Sequence, residues 1–129
     1  MNLIYVRKKL SCGYFYKIYT IANKTKEELR LFLETTATII DDLNVCVVFM
    51  HDRDDYIAPS YFTSFEEYKM NLSNVNFDIV NKISLAGSRV GSRFSITVDF
   101  DFSTLCVQAK TSNEIDLFIN ELKNIFKTY

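Results

Sequence analysis

Two short stretches hold residues whose types and spacing could do chemistry. The first is His51-Asp52-Arg53-Asp54-Asp55, which sets the chain's one histidine beside three carboxylates, directly after the apolar run Val45 to Met50. Open sheets tend to place ligand sites beyond the carboxyl ends of such strands, and an imidazole among carboxylates can hold a divalent cation that activates water. The loop lacks the glycine and distal glutamate of a calcium site, and one histidine cannot supply the paired spacing of a zinc protease. A metal-dependent hydrolase is therefore one reading of this loop. The plainer one is a solvated loop whose charges end a strand and pair with Arg53.

The second stretch is Gly87-Ser88-Arg89-Val90-Gly91-Ser92-Arg93, where a Gly-Ser-Arg triplet occurs twice and two of the three glycines fall. Glycine lets backbone N–H groups converge on an anion, and guanidinium groups offer forked donors to phosphate or carboxylate. Ser88, Arg89, Ser92 and Arg93 are thus candidate anion-binding residues for a phosphate-bearing small molecule or nucleotide. The alternative is a hairpin tip with glycine for the turn and charge for solubility.

Nucleophilic catalysis by Cys46 or Cys12 with His51 is a weaker pattern. Cys46 lies within an apolar run, where burial raises a thiol's pKa and hides it, so a small core residue is the better reading. No serine-nucleophile elbow and no lysine-bearing phosphate loop occurs. Asp99 and Asp101 read as exposed members of an alternating strand. No catalytic residue, metal ligand or cofactor is assigned from the sequence.

Tyr5, Tyr14, Tyr16 and Tyr19 concentrate aromatic surface near the start of the chain, interleaved with Lys8, Lys9 and Lys17. Such residues can stack on single-stranded bases, yet tyrosine is equally at home in protein interfaces and in strands. The chain of 129 residues has a formal net charge of -1, which gives no general field toward nucleic acid or anionic lipid. A protein interface or a place in the core is preferred over nucleic acid, and an unpaired edge strand there would invite a partner or a second copy.

The elements that must position these residues are clearest from Ser92 to Phe126. Phe94, Ile96, Val98, Phe100 and Phe102 alternate with polar residues, and Leu105, Val107 and Ala109 do the same after a turn at Asp101 to Thr104, as in an antiparallel hairpin. Thr111 to Glu114 form a capping box, and Ile115, Phe118, Ile119, Leu122, Ile125 and Phe126 recur at helical spacing beyond it.

Upstream, Leu3 to Lys9 and Tyr14 to Ile21 form a first hairpin closed at Ser11-Cys12-Gly13. Thr25 to Glu28 cap a long helix ending near Asp42. Val45 to Met50 reads as an interior strand covered on both sides, or one reached by helical crossover. Thr63 to Glu66 opens a short helix through Phe65, Tyr68 and Leu72, and Phe77, Ile79, Ile83 and Leu85 give a further strand, broken at Gly87 to Gly91.

The pattern predicts a two-layer α+β domain over residues 1–129. Its sheet is mostly antiparallel, an N-terminal hairpin, a helix, a central strand and a C-terminal three-strand meander, covered on one face by two main helices. At 48% hydrophobic residues the chain supports one ordinary core. No secretion signal or membrane-length apolar run is visible, and three widely spaced cysteines suit reduced thiols, so a cytoplasmic location is expected. The functional expectation is a non-enzymatic interaction module, of a small accessory, immunity-type or regulatory kind. It acts on a protein partner or by self-association, with no membrane role.

Overall fold

The alternation in the sequence is realised as one seven-stranded antiparallel sheet. The computed structural model describes residues 3–50 and 57–125. The loop from His51 to Asp55 lies outside the described residues, as does Phe126. The strands are β1 (Leu3–Ser11), β2 (Tyr14–Ile21), β3 (Asp41–Phe49), β4 (Ser60–Phe62), β5 (Val80–Arg89), β6 (Ser92–Asp99) and β7 (Thr104–Ala109). Their order across the sheet is β1-β2-β7-β6-β5-β3-β4, with every pairing antiparallel. The first hairpin therefore docks on the last strand, and Phe15 stands opposite Ala109.

Among the described residues three α-helices, α1 (Lys26–Thr36), α2 (Phe65–Met70) and α3 (Ser112–Ile125), form the second layer. Side chains of a strand alternate between faces, and one set of every interior strand is buried: Tyr19 and Ile21, Leu105 and Val107, Ile96 and Val98, Ile83 and Leu85, Val45 and Val47. Against them pack Leu29, Phe32 and Leu33 of α1 and Ile115, Phe118 and Leu122 of α3. The opposite face carries no helix among the described residues. It presents Tyr16, Ile18, Cys106, Gln108, Ser95, Thr97, Ser84, Cys46 and Val48, all half-buried by their neighbours in the sheet. A serine–threonine hydrogen bond, Ser84 to Thr97 at 2.8 Å, and one from Ser95 Oγ to Gln108 Oε1 at 3.1 Å tie its strands together.

Two capping boxes stand where the sequence places them. Thr25 Oγ1 accepts from the Glu28 N–H and Glu28 accepts from the Thr25 N–H, both at 3.1 Å. Thr111 and Glu114 repeat the exchange at 3.2 and 3.1 Å. The third box is displaced by one residue. Ser64 is the N-cap, bonding the Glu67 N–H, while Glu67 turns back to Thr63.

Several boundaries differ from the sequence expectation. The long helix stops at Thr36 and continues only as a 3-10 turn over Ala37–Ile39. There Thr35, Thr36 and Thr38 bond their hydroxyls to upstream carbonyls, a competing local arrangement that weakens a helix. The run Val45 to Met50 is not covered on both sides: β3 is antiparallel to both neighbours, and Cys46 and Val48 face the open side. Phe77–Ile79 form a 3-10 turn capped by Asn76, so the meander begins at Val80. β4 is a three-residue edge strand held by pairing to Val45, Cys46 and Val47, and Phe102 lies exposed in the β6–β7 turn. None of the described helices is long and apolar enough to cross a membrane.

Candidate functional site

The Gly87 to Gly91 segment does not break the sheet but forms the hairpin tip of the alternative reading, with a turn as short as the Cys12-Gly13 turn between β1 and β2. Arg89 pairs with Ser92 across a two-residue turn at Val90 and Gly91, whose φ values of 50° and 79° match the twist of the flanking strands. That register decides where the candidate anion-binding residues point. Ser88 stands opposite Arg93 and shares its face, whereas Arg89 stands opposite Ser92 on the other. The two guanidinium groups do not converge.

Arg89 faces the helices and is fully engaged. It donates to the Ile39 carbonyl at 2.9 Å, forms an ion pair with Glu121 of α3 and lies 5.0 Å over the ring of Phe118. Arg93 faces the open side. Among the described residues it has no ion-pair or hydrogen-bond partner. It lines a concavity of about 520 Å³ with Ser88, Ser95, Gln108, Tyr14 and Asp42, a volume within the range of small-molecule sites. The concavity crosses five strands at the end of the sheet where the β1–β2 and β5–β6 turns and the start of β3 lie. Arg93 and Asp42 give it one charge of each sign.

Gly87 serves the framework beside this hollow. A Cβ there would stand inside contact distance of the Asp41 carbonyl oxygen and 2.7 Å from Ile40 Cγ2. The first residues of β3 thus cross β5 only because position 87 has no side chain.

The four tyrosines are also divided by the pleat. Tyr14 and Tyr16 face the open side, whereas Tyr5 and Tyr19 face α3 and meet edge to face with ring centroids 5.8 Å apart. Burial, then the nearby Asp116 carboxylate, pushes the Tyr19 phenol up to about 12. Beside this pair Lys17 is 9% exposed and bonds Asp116 of α3 at 2.5 Å, which anchors helix to sheet across 99 positions of sequence. The strand β1 reaches beyond α3. From Ile4 to Leu10 it is exposed on both faces, and under its overhang lies a second cleft of about 530 Å³ between β1, β2 and α3.

Cys46 and Cys106 offer poor nucleophiles. Burial raises the Cys46 and Cys106 thiols, and they form no disulfide with each other or with Cys12. Among the described residues no group of three His, Cys, Asp or Glu side chains could hold a metal ion. The residues that sequence reasoning did not join are Lys17, Asp116 and Lys123. The signal available was a lysine on the inward-facing row of an otherwise apolar strand, but its partner is fixed only by the docking of α3. Comparison of the chain with protein-family models, with curated proteins and with solved structures gives no match in any of the three.

Proposed function

We propose that the protein is a non-enzymatic interaction module, of an accessory or regulatory kind, that engages a protein partner through the free edge of β1. One observation carries this reading: β1 is a nine-residue edge strand with β2 as its one neighbour among the described residues, and it exposes Ile4 at 52% and Leu10 at 61%. An edge of that length offers a row of backbone donors and acceptors to an added strand. Arg7, Lys8 and Lys9 sit together on it. They repel a second copy laid antiparallel against the same strand and favour a partner segment bearing carboxylates.

Capture from the native lysate, followed by hydrogen exchange on the purified complex, tests the reading. The expected result is slowed exchange at the β1 amides in the complex. Protection confined to the opposite edge or the helix layer, with β1 unchanged, overturns it.

The concavity around Arg93 supports a second reading, a sensor for a small molecule bearing a phosphate or carboxylate. Arg93 is a guanidinium with no partner among the described residues, beside Ser88, Ser95 and Gln108 in a hollow of small-ligand size. A ligand that binds the folded state raises the melting temperature. In a panel of phosphorylated metabolites the shift is expected to vanish in Arg93→Ala. Arg89→Ala is expected to lower the melting temperature of the free protein and to retain the shift. No shift with any compound of the panel sinks this reading and leaves the first untouched.

A further inference from the structure

The bulge in β1 gives the edge strand a shape that alternation alone would not. Tyr5 pairs with Tyr19, and Lys8 with Lys17, so the register slips by one residue at Val6. Tyr5 and Lys8, three positions apart, thereby share the face toward α3, and a regular strand would turn one of them to the other side. Below them the cleft is walled by Lys17 and Tyr19 of β2 and by Asp116 and Lys123 of α3. Among the described residues three ammonium groups and one carboxylate face it. Asp116 is committed to Lys17. Lys8 rests 5.4 Å over the Phe15 ring, and Lys123 has no partner among the described residues, so an unbalanced positive charge remains at the mouth. The cleft thus includes side chains of β1 itself, the strand whose outer edge is unpaired among the described residues and beside which an added strand would lie.

Building on the edge-strand reading, we infer that this cleft is the receptor for an acidic side chain of the added strand. An extended partner segment pairs with β1 as an eighth strand and directs a glutamate or aspartate between Lys8 and Lys123. Its carboxylate accepts charge-assisted hydrogen bonds from both ammonium groups. Every second side chain of the segment points to this face, so the cleft also sets register. A segment slipped by one residue would place an apolar or neutral side chain against the lysines and its carboxylate on the open side.

A tethered strand tests this directly. A Glu-Val-Glu-Val-Glu-Val-Glu segment, joined ahead of Met1 by a flexible Gly/Ser linker, meets β1 at high effective concentration. A matched fusion carries Gln at each Glu. Both are expected to melt above the unfused protein, the Glu version higher by about 4 °C. Lys8→Gln and Lys123→Gln are expected to erase the difference between the fusions, and Lys110→Gln, which removes the same charge elsewhere, to preserve it. Equal melting of the Glu and Gln fusions, both above the unfused chain, overturns the cleft and spares the edge reading. If neither fusion melts higher and the β1 amides exchange as in the unfused protein, the edge reading falls and the cleft with it. A rise caused by inorganic phosphate in the unfused protein, lost in the same lysine variants, assigns the cleft to a free anion and overturns the proposal.

Discussion

At the scale of single residues, the glycine and valine of the β5–β6 region make opposite demands on the backbone. Gly87 is needed for the close approach of β3, and a methyl group there must push against the Asp41 carbonyl and Ile40. Gly87→Ala is expected to destabilise by about 1–3 kcal/mol, the range for overpacking a tight site, as read by chemical denaturation. A value near zero would mean that β3 can slide. Val90 is a β-branched residue in left-handed conformation and is 97% exposed. Its strain gains no packing in return, and Val90→Gly should stabilise by about 1 kcal/mol. Glu34 gives a third expectation. Burial raises its carboxyl pKa despite Arg30 Nε at 3.7 Å. A raised pKa means that the folded state binds the proton more tightly, so Glu34 favours folding below the unfolded carboxylate range and loses that contribution as pH rises through the folded value. Glu34→Gln is therefore expected to gain melting temperature relative to wild type between acid and neutral pH. The reverse trend would show that attraction to Arg30 outweighs desolvation.

At the scale of elements, helix caps were legible because their chemistry is local. Thr111 and Glu114 are three residues apart and need no tertiary information to find one another. Thr111→Ala is expected to lower stability by about 1 kcal/mol, because the Glu114 backbone N–H loses the hydroxyl that accepts from it. The strands β6 and β7 were legible for the same reason, since inward apolar residues fall on every second position within each of them. β4 was not, because Ser60–Phe62 is a strand only by pairing with β3. The candidate anion site shows the limit most clearly. Two Gly-Ser-Arg triplets look equivalent in sequence, but a two-residue turn puts Arg89 and Arg93 on opposite faces, one holding α3 and the other open. The bulge at Val6 is equally hidden. One extra residue redirects Lys8, and nothing in the composition of Leu3–Ser11 announces it.

At the scale of the whole molecule, the chain closes on itself through β2 and β7, whose paired residues lie some ninety positions apart, and β1 is an addition to that closed body. Tyr19 and Ile21 of β2 are buried, and Lys17 ties the sheet to α3, whereas β1 from Ile4 to Leu10 is exposed on both faces. Burial of apolar area is the main stabilising term, so the two strands of one hairpin should contribute very unequally. A chain starting at residue 12 is expected to keep a cooperative thermal transition at a reduced temperature, because it loses mainly the Tyr5 ring contact and the partial cover of Leu3. One starting at residue 22 should lose cooperative unfolding altogether, since β7 becomes an edge and Asp116 loses its buried lysine. Circular dichroism melts of the two truncations distinguish these outcomes. If removing residues 1–11 alone abolished the transition, β1 would be part of the folding core and its exposure incidental. If the chain starting at residue 12 folds, the edge strand is separable from the fold that carries it, as the edge-strand proposal requires.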